Sequence, residues 1–250
     1  MNNNLNYERE RRLYADAGYT EHFFERRDSF FKTVQATTDK EKEIFYHVRQ
    51  DAFAKDLHIL HDSLEEDKPY IKDSYDDTAI HFLTYFLPLN LVIGGMRFVR
   101  PIHYRGHEHF PSTEKSPSLA QLVAEINPAS CLEISRFMLS QSAVIAMDDF
   151  FKKKPSYMAP ASHPPQLLYL IQSLFDVCYE SQTSYVIGSF DMYLIRILKL
   201  VVGLDITLIG EAVYEETTLH PFCIDVARNI DVVRQKNPRV FQFLTNNRFS

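Results

Sequence analysis

The segment Cys131–Ser140 constrains the fold most, because it is an apolar run that carries a carboxylate close to its middle. Its residue types alternate with a period of two, which predicts a β-strand. A buried charge costs several kcal/mol unless it has partners, so Glu133 must be paired or must serve a chemical purpose. A half-exposed polar face and a structural ion pair between Glu133 and an arginine both remain open. The two predicted faces of the strand carry Glu133, Ser135 and Phe137 on one side and Leu132, Ile134, Arg136 and Met138 on the other.

The composition is that of an ordinary globular chain and removes several classes of function. A length of 250 residues predicts one domain, over residues 29–250, preceded by a helical N-terminal extension over residues 1–28. Only 7 glycines are present, and neither GxGxxG nor GxxxxGKS/T occurs, so the usual phosphate-binding loops are absent. A net charge of −6 argues against nucleic acid as a partner, because phosphate binding needs a basic surface. No signal peptide and no membrane-spanning run is visible, so we expect a cytoplasmic protein without a transmembrane segment.

Hydrophobic periodicity predicts alternating helices and strands on both sides of the central strand. A first strand over 29–37 is followed by an amphipathic helix over 39–56, which begins at an N-cap formed by Thr38-Asp39. Strands over 80–87 and 91–99 form an antiparallel hairpin. This order predicts an α/β (α+β) fold in which helices cover a sheet on both faces. The other predicted elements are helices over 118–125 and 144–154, a helix opened by Pro164 and Pro165, a helix over 192–202 ended by Gly203, a terminal helix to about residue 246, and strands over 184–190, 205–209 and within 218–227.

Two polar segments lack a clear period. Residues 57–78 form a long acidic loop, of a length that is often functional. His103, His107 and His109 lie in a segment that we also predict to be a loop. A metal hydrolase built on these histidines is one alternative, but their spacing matches no zinc template, so we predict no metal.

Four short segments, taken together, resemble one family of acyltransferases. They are Val48–Phe53, Asp73–Asp76, Gly95–Phe98 and Glu133–Phe137. In this order they resemble the acyl-homoserine-lactone (autoinducer) synthases and two sister groups, the N-acyl amino acid synthases and the PEP-CTERM exosortase-associated acyltransferases. The resemblance covers about residues 30–227. It implies a GNAT-like fold, with a central mixed and mostly antiparallel sheet and helices on both faces.

Two departures from the family pattern bear on the substrates. Autoinducer synthases carry a tryptophan soon after the Arg…Phe helix, near the adenosylmethionine site, whereas this chain has no tryptophan and has Leu57-His58 there. Together with His-Pro-Phe at 220–222, this favours the N-acyl amino acid and exosortase-associated groups over an autoinducer synthase that uses S-adenosylmethionine. The CoA-binding loop of the fold is not recognisable after the central strand, which favours acyl carrier protein over CoA as the donor.

The resemblance implies acyl transfer from an acyl thioester to the amine of an amino acid or a related small molecule, with no tightly bound cofactor. Glu133 is the implied general base, and Ser135 the implied hydrogen-bonding partner of the thioester or the departing thiolate. A slot between splayed strands, lined by Phe137 and Phe190, would hold the acyl chain. A purely structural arginine–aspartate network is an equally open interpretation of several positions. The residues implied in substrate binding are Arg49, Phe53, Asp73, Asp76, Arg97, Arg136 and Phe137.

The remaining expectations concern partners. Arg97, Arg100 and Lys152–Lys154 offer positive charge to an acidic acyl carrier protein, although a solvated basic face is the better account of the lysines. A non-catalytic protein that keeps this fold and holds a fatty-acyl ligand is the rival from another functional class.

Overall fold

A computed structural model describes residues 29–56, 72–104, 107–153, 165–214 and 217–246. The predicted extension over 1–28, the Pro-rich connection before residue 165 and most of the acidic loop lie outside these residues. No helix within the described ranges is long and apolar enough to cross a lipid bilayer.

The strands form one large sheet and one small hairpin. Along the sheet the order is β1-β2-β3-β6-β7-β10-β8, with β9 attached to β10, while β4 and β5 pair only with each other. Neighbouring strands are antiparallel except β6 and β7, which are parallel. The strands are β1 (Phe31–Gln35), β2 (Ile80–Phe86), β3 (Leu91–Val99), β4 (Ile102–Tyr104), β5 (His107–His109), β6 (Cys131–Leu139), β7 (Tyr185–Phe190), β8 (Thr207–Leu208), β9 (Val213–Tyr214) and β10 (Thr218–Asp225).

Helices cover both faces of this sheet, which confirms the predicted fold class. One face packs a small core around Phe45 of the first helix and Leu83 of β2. The opposite face packs the main core, which includes Leu168 and Leu170. The helices are α1 (Asp39–Gln50), continued by a π-helical turn (Asp51–Asp56), α2 (Pro117–Glu125), α3 (Gln141–Lys153), α4 (Pro165–Glu180), α5 (Met192–Ile197), continued by a second π-helical turn (Leu198–Val202), α6 (Val226–Lys236) and α7 (Pro238–Thr245).

Local signals placed most helix ends correctly. Thr38 accepts a hydrogen bond from the Glu41 N–H at 3.3 Å and Glu41 accepts one from the Thr38 N–H at 2.9 Å, which is a complete capping box at the start of α1. Gly203 ends the α5 segment with φ of +88°, as a glycine after a helix does. These local rules hold because they depend only on neighbouring residues.

Two of the secondary-structure predictions were wrong. The segment that carries His103 and His109 is a β-hairpin rather than a loop. The single terminal helix is two helices, because Pro238 has no N–H to continue α6 and Asn237 caps α7 instead.

The central strand contains a β-bulge that corrects the predicted faces. Between the pairs Gly95↔Met138 and Arg97↔Ser135, β3 contributes one residue and β6 contributes two. Arg136 occupies this extra position with φ of +52°. Because one extra residue reverses the alternation, Arg136 joins the face of Ser135, and Phe137 turns to the main core on the opposite face.

The parallel strands β6 and β7 separate halfway along their length. Their pairing runs only from Cys131↔Tyr185 to Glu133↔Ile187, although both strands continue. Gly188 sits where they begin to part, and a Cβ on it would lie 2.6 Å from the carbonyl oxygen of Ile134. The sheet therefore opens beside the end of the central strand.

We expect Gly188→Ala to destabilise the fold by about 1–3 kcal/mol, because its Cβ would collide with backbone that cannot retreat. Denaturant unfolding at equilibrium measures this loss. Ser189→Ala, at the next residue of β7, is the matched control and should change stability by less than about 0.5 kcal/mol. Equal stability of the two variants would contradict the close approach.

Candidate active site

Three strands place a row of polar residues on the face that α1 covers. His81 of β2 pairs with Arg97 of β3, and Arg97 pairs with Ser135 of β6. Arg97 also donates from Nε to Ser135 Oγ at 3.1 Å. The register of three strands thus creates a polar site within an apolar sheet. We use the name arginine–aspartate cluster for the charged residues of this site together with His81, which are Arg49, Asp73, Asp76, His81, Arg97 and Arg136.

Asp76 is the centre of the cluster and is fully buried. Its carboxylate accepts bonds from Arg49 Nη1 at 2.9 Å and from Arg97 Nη1 at 2.8 Å. His81 Nε2 lies 3.0 Å from it, and the backbone N–H of Asp73 donates at 2.8 Å. Burial alone would raise the pKa of Asp76, but the bond from His81 and the charges of the two arginines outweigh it and lower that pKa. The Asp76 side chain is therefore a fixed negative charge.

Asp73 and Arg136 form the partly exposed edge of the cluster. Asp73 Oδ1 accepts from Arg97 Nη1 at 2.6 Å, and its Oδ2 accepts from Arg136 Nη2 at 3.0 Å. Asp73 is 28% exposed and Arg136 32%, whereas Arg49, Asp76 and Arg97 are at most 1% exposed. Any small molecule that meets the cluster therefore meets this edge first.

Phe53 lies beside the same edge. It belongs to the π-helical turn that continues α1, one turn after Arg49. The guanidinium carbon of Arg136 sits 5.9 Å from the centre of the Phe53 ring, within the range of a cation–π contact. The helix and the bulge thus bring Phe53 and Arg136 together although they are 83 positions apart in the sequence.

Glu133 is completely buried two residues before Ser135. Its Oε2 accepts a hydrogen bond from the backbone N–H of Ser112 at 2.9 Å. Its Oε1 has no hydrogen-bond partner within the described parts of the chain. Burial raises the pKa of Glu133 to about 7, against the opposing effects of the Ser112 N–H and the charges of Arg97 and Arg136. A structural ion pair between Glu133 and an arginine, which the sequence left open, does not form among these residues.

The turn that supplies Ser112 is held by its own bonds. Phe110 N–H donates to Thr113 Oγ1 at 3.0 Å, and Thr113 Oγ1 donates to the Phe110 carbonyl at 2.8 Å. Phe110 itself is fully buried against Cys131 and Leu119. A turn of this kind aims a backbone donor at Glu133 without placing a second charge beside it.

Phe137 lies apart from these groups, on the opposite face of β6. Its ring centre is 6.0 Å from that of Phe190, which is 5.0 Å from that of Phe222. Phe137 and Phe190 both lie beyond Glu133↔Ile187, the last pair of β6 and β7. The two aromatic rings therefore contact each other where these strands are no longer paired.

Of the predicted site residues, all but Phe137 and Phe190 lie on one face of the sheet or on the elements that cover it. The prediction that Arg97 meets a partner protein was wrong, because Arg97 is buried, whereas Arg100, Lys152 and Lys153 are exposed. The side chains of His103 and His107 lie outside the described ones, and no group of three possible metal ligands occurs among those that are described. Sequence reasoning missed His81 and Ser112, since neither carries a motif and both depend on strand register or a turn.

This sheet, with one parallel pair that parts beside a polar row, has the fold of enzymes that make acyl-homoserine lactones and N-acyl amino acids. MesI, a CoA-dependent acyl-homoserine lactone synthase, is 15% identical with a TM-score of 0.53, over 82% of this chain and 93% of its own. BjaI, an enzyme of the same description solved with SAM and isopentyl-CoA, is 17% identical with a TM-score of 0.51, over 83% and 88%. FeeM, an N-acyl amino acid synthase from uncultured soil microbes, is 11% identical with a TM-score of 0.54, over 81% and 94%.

No model of a protein family matches the sequence, and no curated protein matches it significantly. At the identities above, the likeness is one of fold, and it confirms the fold that the four short segments implied.

Proposed function

We propose that this protein is an N-acyltransferase that moves a fatty-acyl group from a thioester to the amine of an amino acid or a related small molecule. The observation that carries the proposal is the state of Glu133. A buried carboxylate whose pKa is about 7 and whose Oε1 is unpaired among the described residues is suited to take a proton near neutral pH.

In the proposed reaction the amine nitrogen attacks the thioester carbonyl carbon. The C–N bond forms, the C–S bond breaks and the thiolate leaves, while Glu133 accepts the amine proton directly or through one water. Backbone N–H groups of β6 that face β7 beyond Glu133 are suited to stabilise the oxyanion, because strand pairing ends there. Ser135 lies on the Glu133 face and can bond the sulfur as it leaves.

The arginine–aspartate cluster is the proposed acceptor side. Asp73 and Arg136 provide one carboxylate and one guanidinium at its partly exposed edge, which suits a small zwitterion such as an amino acid. Phe53 adds an apolar wall next to Arg136. S-adenosylmethionine carries the same amine and carboxylate, so an autoinducer synthase is the second candidate, supported by the fold shared with MesI and BjaI.

The proposed donor is an acyl carrier protein, with acyl-CoA as the alternative. No glycine-rich pyrophosphate loop is recognisable in the sequence, which favours the carrier protein, whereas MesI is CoA-dependent and BjaI was solved with isopentyl-CoA. The exposed Arg100, Lys152 and Lys153 supply positive charge for an acidic carrier. Phe137 and Phe190 would border the acyl chain at the opening between β6 and β7. Both donors are made in the cytoplasm, where we place the reaction.

In the test, the full chain is incubated with one acyl donor, either palmitoyl-carrier protein or palmitoyl-CoA. Each reaction also contains one candidate acceptor, either one of the common amino acids or S-adenosylmethionine. Thiol release and mass spectrometry of the products are the readouts. An N-acyl amino acid supports the first candidate, and an acyl-homoserine lactone supports the second. Tight acyl binding without any amide product would reject both and favour the non-catalytic rival.

A further inference from the structure

A hydrogen bond between two side chains joins the segments that flank the candidate site. Tyr75 lies between Asp73 and Asp76, in the segment before β2, and its hydroxyl donates a hydrogen bond to Glu114 Oε1. Glu114 lies two residues after Ser112, on the turn that serves Glu133. Neither residue has a part in the proposed chemistry.

This contact closes a ring that contains Glu133 and Ser135, the two side chains that act in the proposed transfer. Tyr75 N–H donates to Asp73 Oδ1 at 3.0 Å, and Asp73 binds Arg97, which binds Ser135. Two residues along β6, Glu133 accepts the Ser112 N–H. The turn then returns to Tyr75 through Glu114. Without the Tyr75–Glu114 bond, the ring is open at its exposed side.

We infer that Tyr75 and Glu114 form a clasp that positions Glu133 by holding the Ser112 turn against the segment of Asp73 and Asp76. Both are positioning residues rather than catalytic ones. The consequence of the clasp for the rate rests on the proposed function, whereas its effect on the turn does not.

The position of the clasp explains why it acts on the site and little on the fold. Glu114 is exposed and Tyr75 half-buried, so their bond adds little to the stability of the fold. The Ser112 turn has its own internal bonds and the buried Phe110, which keep it folded. A carboxylate base, by contrast, loses efficiency when its supporting groups shift by a fraction of an ångström.

The test compares Tyr75→Phe, Glu114→Ala and Glu114→Gln with Tyr193→Phe, which removes the hydroxyl of a tyrosine that is 73% exposed on α5. Amide hydrogen exchange at Ser112, measured without substrate, should accelerate by about tenfold or more in Tyr75→Phe and Glu114→Ala. Glu114→Gln keeps an acceptor oxygen and should retain part of the protection. Tyr193→Phe should match the natural protein.

The kinetic measurements use the acceptor that the product analysis under Proposed function identifies. Tyr75→Phe should lower kcat by about tenfold, with an unchanged acceptor KM and a melting temperature within about 2 °C. The double variant Tyr75→Phe/Glu114→Ala should be no slower than either single one, because each already breaks the same bond. Unchanged Ser112 exchange in Tyr75→Phe would overturn the clasp. Accelerated exchange in a protein that transfers no acyl group would uphold the clasp and reject the proposed function instead.

Discussion

Replacing Glu133 with glutamine is expected to slow acyl transfer in a single turnover by about 10²–10⁴-fold, because the side chain keeps its shape but can no longer accept the amine proton. The natural protein should show a rate that rises with pH and is half-maximal near the Glu133 pKa of about 7. Glu133→Gln should lose this pH dependence. Rapid-quench measurement of the amide product across about pH 5 to about pH 9 checks both statements.

Glu133→Gln should slow acyl transfer but should not destabilise the fold at alkaline pH. A loss of rate can therefore be distinguished from a loss of folding. The pKa of Glu133 is raised from 4.5 to about 7 in the folded protein, so the folded state holds this proton more tightly than the unfolded state. Ionising the buried Glu133 therefore lowers the free energy of unfolding. This loss is absent below about pH 4.5 and complete above about pH 7, where it reaches about 3 kcal/mol. Glu133→Gln should therefore be relatively more stable at alkaline than at acidic pH, compared with the natural protein.

Glu125→Gln is the control, because it makes the same chemical change at an exposed residue of α2. It should alter neither the rate nor the pH dependence. A Glu133→Gln variant that transfers acyl groups at the natural rate would remove Glu133 as the base, and the buried carboxylate would then be a structural support for the Ser112 turn.

Replacing Asp76 with asparagine is expected to destabilise the fold by about 3–5 kcal/mol, because it removes the buried carboxylate that pairs with the buried guanidinium of Arg49 at 2.9 Å. The loss should depend on pH in a defined direction. Asp76 has a lowered pKa, so its contribution is complete at neutral pH and falls as acid drives the pH below the unfolded value of 3.8. The gap in stability between the natural protein and Asp76→Asn should therefore narrow in acid.

Asp77→Asn is the matched control for this measurement. Asp77 is the next residue, its side chain is 70% exposed, and its ion pair with Lys72 lies at the surface. Its replacement should cost less than about 1 kcal/mol. Urea unfolding at about pH 7 and at about pH 2, well below the unfolded value of 3.8, compares the three proteins. If Asp76→Asn were as stable as Asp77→Asn, the cluster would not be the support that its geometry indicates.

The site was predictable as a set of residues but not as an arrangement. Arginine, aspartate and glutamate at apolar or loop positions stand out in a sequence because burying a charge is costly. Their order along the chain resembled a known family, and the structure brings Arg49, Asp76 and Arg97 into direct contact. No local sequence signal indicated that His81 would contact Asp76, since a histidine within a strand fits many sequence patterns equally well.

The central strand shows where pattern reasoning fails. A strict period of two placed Phe137 with Glu133 and Ser135, and this was wrong because Arg136 forms a bulge. A bulge depends on the strand with which β6 pairs, here β3. The residues of β6 alone do not indicate which strand that is or in which register the two pair. The same reason hides the Ser112 bond to Glu133, which joins residues 21 positions apart.

By itself, the sequence determined the helix caps, the approximate strands and the fold class, because capping and burial periodicity act over a few neighbouring residues. Only the tertiary structure decided the face of each site residue, the central place of Asp76 and the raised pKa of Glu133. These properties arise from strand register, from one extra residue in β6 and from burial by distant segments. Such contacts depend on how elements pack together, and no segment of the chain specifies them alone.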